Sequence, residues 1–181
     1  MAKRINTIPE RSEGSYGYIF KIAILLSFFA FSCNYGFKGA SPPEGIKTIF
    51  IPTFRDESGF GLPTLPEDMT KLLKQKFIND NTLEYAEKTS ADGMLDCVIT
   101  SVTDEALVVT GGETVSKRKV TINVKVTFTN LKKQKQIWQR DFSNWGEYDS
   151  STGGFSKRDE GVQSATDKIT DDILLEVISN W

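Results

Sequence analysis

Four pairs of neighbouring carboxylates, Asp56-Glu57, Asp104-Glu105, Asp159-Glu160 and Asp171-Asp172, are the first residues of this chain that invite a chemical reading. Two carboxylates converging on one bond can act as general acid and base. Adjacent residues, however, point to different sides of a strand or helix, so pairing in sequence gives no convergence in space. Solvated surface is the expected setting, and a hydrolase would need two of these groups in one cleft with displaced pKa values. The chain has no histidine, which removes Ser/His/Asp and Cys/His catalysis and the commonest metal ligand together. The stretches "TGGE" and "TGGF" lack the spacing and the lysine of a phosphate cradle. No catalytic residue, metal site or cofactor is expected.

Charge offers a second kind of chemistry. Lys117, Arg118 and Lys119 form one local basic cluster, and Lys132, Lys133 and Lys135 form another. Charged turns are commonly no more than solvated. The alternative is contact with the phosphates of anionic lipid or lipopolysaccharide, to which such groups donate charge-assisted hydrogen bonds. With 22 basic and 24 acidic residues, a net charge of -2 and no run of five like charges, the chain has no electrostatic footprint for nucleic acid.

The two cysteines have different settings. Lys3, Arg4, Arg11 and Lys21 precede an apolar or small stretch from Ile22 to Phe31, the arrangement of a secretory signal. That stretch is shorter than the roughly 20 apolar residues a membrane-spanning helix needs. Ala30, Phe31 and Ser32 before Cys33 resemble a bacterial lipobox, in which the thiol is alkylated by a diacylglyceryl group and becomes the new N-terminus. Residues 1–32 then form a signal peptide, 33–45 a lipidated tether and 46–181 a single domain. An ordinary cleaved signal and an uncleaved anchor are the alternatives. One acyl chain binds a membrane marginally, whereas two or more hold it stably. Cys97, in "MLDCVITSV", alternates with Leu95 and Ile99 and reads as a small buried hydrophobe in a strand.

The elements that must position these groups are legible from periodicity. "IKTIFIPTF" reads as a strand, buried on both faces where Ile49, Phe50 and Ile51 are consecutive, and "RDESGFGLP" as a loop. "TLPEDMTKLLKQKFINDN" opens a helix, with Thr64 and Glu67 at capping-box spacing and Pro66 in the first turn. Its Met69, Leu72, Leu73 and Phe77 fall on one inward face. "TLEYAEK" suggests a short strand, and "MLDCVITSVTD" a longer one. Gly111-Gly112 suggests a long hairpin reaching beyond the sheet. In "KVTINVKVTFTN", Val120, Ile122, Val124, Val126 and Phe128 line one face and polar residues the other, so one face is buried and one wet. Trp138 and Phe142 share a side of the next strand. "DSSTGGFSKRDEG" reads as a loop, and from Val162 a helix places Val162, Ala165, Ile169, Ile173, Val177 and Trp181 at three- and four-residue spacing. The expected fold is an α+β two-layer sandwich, a mostly antiparallel sheet with two helices packed on one face.

Five blocks in order, "CNYGFKGAS", "KTIFIPTF", "VTINVKVTFTN", "WQRDFSNWGEYDSS" and "ITDDILLEVISNW", resemble the LptE-like lipopolysaccharide-assembly lipoproteins of the Bacteroidota. The resemblance covers essentially the whole chain after Cys33 and implies a two-layer α/β sandwich with no catalytic step. It also implies an outer-membrane lipoprotein, held by its lipid anchor at the periplasmic face. Such a protein binds and plugs a large β-barrel translocon (LptD-like), assists its folding and helps lipopolysaccharide reach the cell surface. Asn34 differs from the Asp that retains enterobacterial lipoproteins in the inner membrane, and the tether lacks the acidic cluster associated with surface export. The lipopolysaccharide-binding motif of proteobacterial relatives has no match, so no contact residue follows from the resemblance. The competing reading is an autonomous lipid carrier with an apolar cavity between helices and sheet.

Overall fold

Strict alternation from Val120 to Phe128 buries every second side chain: Val120, Ile122, Val126 and Phe128 are fully inaccessible and Val124 is 1% exposed. These residues sit at the centre of a computed structural model that describes residues 43–107, 117–150 and 155–179. The strands are β1 (Thr48–Phe50), β2 (Arg55–Asp56), β3 (Glu84–Tyr85), β4 (Gly93–Ala106), β5 (Lys117–Asn130) and β6 (Lys135–Asp149); the helices are α1 (Leu65–Asp80) and α2 (Phe155–Ser179). They form one six-stranded sheet in the order β3-β1-β4-β5-β6, with β2 also pairing β4. The long pairings β4–β5 and β5–β6 are antiparallel. The short ones, β1 with β3 and β4 and β2 with β4, are parallel. This is the α+β sandwich expected, and Ala40–Trp181 is one compact unit.

Both helices lie on the apolar face of the sheet. Met69, Leu73 and Phe77 of α1 and Ala165, Ile169, Ile173 and Val177 of α2 are fully buried against Leu95, Cys97 and Ile99 of β4 and the inner residues of β5. Trp138 and Phe142 do share a side: both are half-buried against this core, their ring centroids 6.3 Å apart. The helices run side by side in the same direction, and Lys76 of α1 reaches Asp167 at 2.9 Å and Asp171 at 2.5 Å on α2. Along its other flank α2 meets β6, where Asn144 donates to Asp172 at 2.8 Å, Lys168 donates to the Trp145 carbonyl at 2.8 Å and Arg140 pairs with Glu176.

Several local expectations are corrected. Leu72 is only half-buried, and Thr70 takes the inward place. Its hydroxyl donates to the Pro66 carbonyl at 2.6 Å and accepts from Phe54 N–H at 2.9 Å, so one side chain satisfies a buried and a part-buried backbone group. The capping box does not form. Thr64 has helical torsions (φ -83°, ψ -19°) and makes no side-chain cap, whereas a capping hydroxyl needs the extended backbone that aims it at the first turn. The first strand ends at Phe50, before Pro52, and Phe50 is half-buried beside the fully buried Ile49 and Ile51. Part of the expected loop is strand β2, with Glu57 N–H donating to the Ile99 carbonyl at 2.9 Å.

The second helix begins at Phe155, so "FSKRDEG" is helical and not loop. Gly161 misleads the reading: glycine costs a helix interior about 1 kcal/mol relative to alanine, yet here a Cβ would stand 3.0 Å from the Tyr148 ring. The gain is close approach of helix to sheet. Cys33 with the preceding segment, Gly111-Gly112 and Trp181 lie outside the described residues. No helix among the described residues is long and apolar enough to cross a membrane.

Candidate functional site: the uncovered sheet face and its two basic ends

With both helices on one face, no element among the described residues covers the other face of β4, β5 and β6. At about 3.3 Å per residue the fourteen residues of β5 make it roughly 40 Å long. Its side chains are polar: Ser101 and Thr103 from β4, Thr121, Asn123, Thr127 and Thr129 from β5, Gln139 and Ser143 from β6, with the charged Lys125 and Asp141 at facing register positions among them. Cross-strand bonds fix several of them. Asn123 donates to Ser101 at 2.7 Å, Thr127 to Gln139 at 3.4 Å, and Arg55 pairs with Asp96 at 2.8 Å. Trp145 is the large apolar exception, 43% exposed, with the Lys168 ammonium 4.6 Å from its ring centroid.

The two basic clusters lie at opposite ends of β5, so no single phosphate meets both. At the first end the three residues split between faces. Arg118 turns to the helix side, where its Nε donates to Asp104 at 2.9 Å and to the Tyr148 hydroxyl at 3.0 Å. Tyr148 in turn donates to Asp104 at 2.7 Å. Burial, reinforced by the Asp104 charge, raises the phenol's pKa, and the hydrogen bond to Asp104 raises that of the guanidinium. Lys119 stands 4.0 Å from Glu105, and Lys117 is exposed without an ion pair among the described residues.

At the other end Lys132 pairs with Asp92. Lys133 and Lys135 border a hollow of about 300 Å³ with Pro43, Glu44, Asn130, Gln136 and Ile137. Asp92 missed notice as a site residue because nothing in its local sequence marks it. Its carboxylate accepts from Lys47 N–H at 2.8 Å and Thr48 N–H at 3.2 Å, its own N–H donates to Thr48 Oγ1 at 2.9 Å, and its carbonyl accepts from Leu131 N–H at 2.8 Å. The Lys132 hydrogen bond, with those backbone donors, lowers its pKa from 3.8 to about 2.

A carboxyl whose folded pKa is depressed adds stability above its unfolded pKa and loses it as pH falls through the folded value. Asp92 is therefore expected to contribute about 2 kcal/mol at neutral pH, lost between about pH 4 and 2. Urea unfolding across that window should show the loss. Asp92→Asn should lower stability at pH 7 and flatten the acid limb, and an unchanged limb would contradict the assignment.

The carboxylate pairs separate as adjacency requires. Asp171 faces Lys76 whereas Asp172 faces Asn144, and Asp56 caps its own loop by accepting from Ser58 N–H at 2.8 Å. Asp104 departs from the expected solvated setting, since it is held in the Arg118–Tyr148 cluster with 17% of its side chain exposed. Two carboxylates distant in sequence, Asp68 and Asp159, border a hollow of about 470 Å³ between the helices, with Leu62, Leu65, Leu72 and Val162. Cys97 is a buried free thiol whose pKa is pushed up by burial, as its strand pattern implied.

A family model described as "LptE: Lipopolysaccharide-assembly" matches residues 46–177. No curated protein matches the chain. Solved structures share the fold at low identity. The hypothetical protein CT253 of Chlamydia trachomatis superposes with a TM-score of 0.54 at 10% identity, over 73% of this chain and 95% of that one. Protein XCC0632 of Xanthomonas campestris gives 0.54 at 10% identity, over 77% and 90%. A PelC dodecamer structure from Paraburkholderia phytofirmans gives 0.50 at 10% identity, over 80% and 97%.

Proposed function

This chain belongs to the LptE lipopolysaccharide-assembly family, and from that premise we propose that it is the lipid-anchored subunit of an outer-membrane lipopolysaccharide translocon. It binds and plugs a large β-barrel (LptD-like) partner. The observation that carries this reading is the long polar sheet face left bare by both helices. A β-barrel lumen is itself polar, so a surface of Thr, Ser, Asn and Gln, with Lys125 and Asp141 at facing register positions on it, suits such a wall. Cys33 is the anchor, the protein sits at the periplasmic face of the outer membrane, and its work is positional, with no covalent step.

Lipopolysaccharide contact, if direct, falls first to Lys117, Lys133 and Lys135, which form no ion pair among the described residues. Arg118, Lys119 and Lys132 are engaged by Asp104, Glu105 and Asp92. A carrier would hold its lipid between helices and sheet, and that space is filled by Met69, Leu73, Phe77, Ile169 and Ile173, all fully buried.

Capture of the protein through a C-terminal tag from outer membranes in mild detergent should bring down a near-stoichiometric large β-barrel. Recovery of the lipoprotein alone, from membranes that contain such a barrel, would contradict the proposal and favour an autonomous carrier.

A further inference from the structure

We infer that the corner where the tether joins the domain docks on the anionic headgroups of the bilayer that holds the anchor. This rests on the reading of Cys33 as anchor. The junction is held by hydrogen bonds. Ile46 N–H donates to the Pro43 carbonyl at 3.0 Å across a turn in which Gly45 takes φ 83°, a conformation open to glycine. Ile46 is buried, and Lys47 and Thr48 are clamped by the Asp92 carboxylate.

Around this fixed point the lysines gather. Lys133 and Lys135 share their hollow with Pro43 and Glu44. Lys132 keeps 67% of its side chain exposed while it pairs with Asp92, whose other oxygen holds the backbone of the exposed Lys47. Lys47, Lys132, Lys133 and Lys135 thus lie at this corner with the carboxylates Asp92, Glu44 and Glu84, which leaves it positive by one charge within a mildly acidic chain.

Chain length selects this corner over the basic cluster at the other end of β5. Asn34–Pro42 separates Cys33 from Pro43, and that span reaches at most about 35 Å when extended. The corner is always within that reach of the bilayer, whereas Lys117 lies roughly 40 Å further along β5. Each lysine at an anionic surface favours its orientation about fivefold, an attraction that fades within a Debye length of about 8 Å at physiological salt. Several lysines beside the tether therefore set the domain upright, corner down.

The test uses residues 34–181, which contain the compact unit and its whole core, with an N-terminal oligohistidine tag held on nickel-chelating lipid in place of the acyl chains. A fluorophore is placed at Gln136→Cys, beside the corner, or at Thr103→Cys, far from it. The buried Cys97 does not compete for label. Vesicles of phosphatidylcholine and phosphatidylglycerol at about two to one carry a nitroxide headgroup lipid as quencher. Quenching at position 136 should exceed that at 103 several-fold, and the gap should close in 1 M salt, where the Debye length is about 3 Å. It should also close on vesicles without phosphatidylglycerol and in Lys133→Glu/Lys135→Glu, whose unchanged urea midpoint certifies the fold. Equal quenching at both positions on anionic vesicles overturns the proposal. So does a gap that persists without anionic lipid or in the double variant, since tether geometry alone would then explain it. No barrel and no acyl chain is present, so failure here leaves the translocon and lipidation readings where they stand.

Discussion

Gly146→Ala is expected to cost the domain about 3 kcal/mol or more, because the first carbon of any side chain has no room there. A Cβ at this position of β6 would lie 2.1 Å from the Gly161 carbonyl oxygen, 2.8 Å from Ser164 Cβ and 3.0 Å from Ala165 N. Two of these are backbone atoms of α2, which no rotamer change can move. The helix must lift from the sheet, and the contacts of Ala165 and Ile169 with the core would open with it. Against a total stability of about 5–15 kcal/mol for an ordinary domain, that loss is a large fraction. Gly146→Val should be worse. Urea unfolding should show a lower midpoint with an unchanged slope, and a Gly146→Ala variant with the wild-type midpoint would contradict the close packing of α2 on β6.

Phe77→Ala should be comparably costly for the opposite reason. Phe77 is among the largest fully buried side chains, and it belongs to the single cluster that joins α1, α2 and the sheet. Removing a buried phenylalanine ring costs about 3–5 kcal/mol, from lost transfer energy and the cavity left behind. Its neighbour Ile78 is 54% exposed, so Ile78→Ala should stay within about 0.5 kcal/mol of wild type. The two adjacent substitutions, compared by thermal or urea unfolding, therefore test which face of α1 meets the sheet. Similar losses at both positions would contradict that placement.

What could be read from the chain follows the range over which each signal acts. The alternation of β5 needs only its own residues, and it located the buried face before any partner strand was known. The inward stripe of α2 was equally plain from Ala165 to Val177, whereas that of α1 takes Thr70 in place of Leu72. Cys97 was placed correctly because its neighbours Leu95 and Ile99 alternate with it. Features that depend on distant partners were hidden. Gly161 falls in a stretch that reads as loop, although its place in a helix is set by the Tyr148 ring and the Gly146 carbonyl on β6. Asp92 has no local mark in the sequence, because its role comes from Lys47, Thr48 and Lys132. The two basic clusters were visible as charge. That they occupy opposite ends of one strand, with Arg118 bent inward to Asp104, required the sheet. The bare polar face was implicit in the polar half of β5, but its extent across β4 and β6 was not.

The central claim, that this bare face lies against a β-barrel wall, is tested most directly by photocrosslinking from defined positions in living cells. A photoreactive residue at Thr121 or Thr127, on the uncovered side of β5, should give adducts with a large outer-membrane β-barrel. The same residue at Lys71 or Gln75, on the exposed side of α1, should give few. Adducts with the barrel from the helix positions and none from the sheet positions would contradict the account, and place the partner on the opposite side of the molecule.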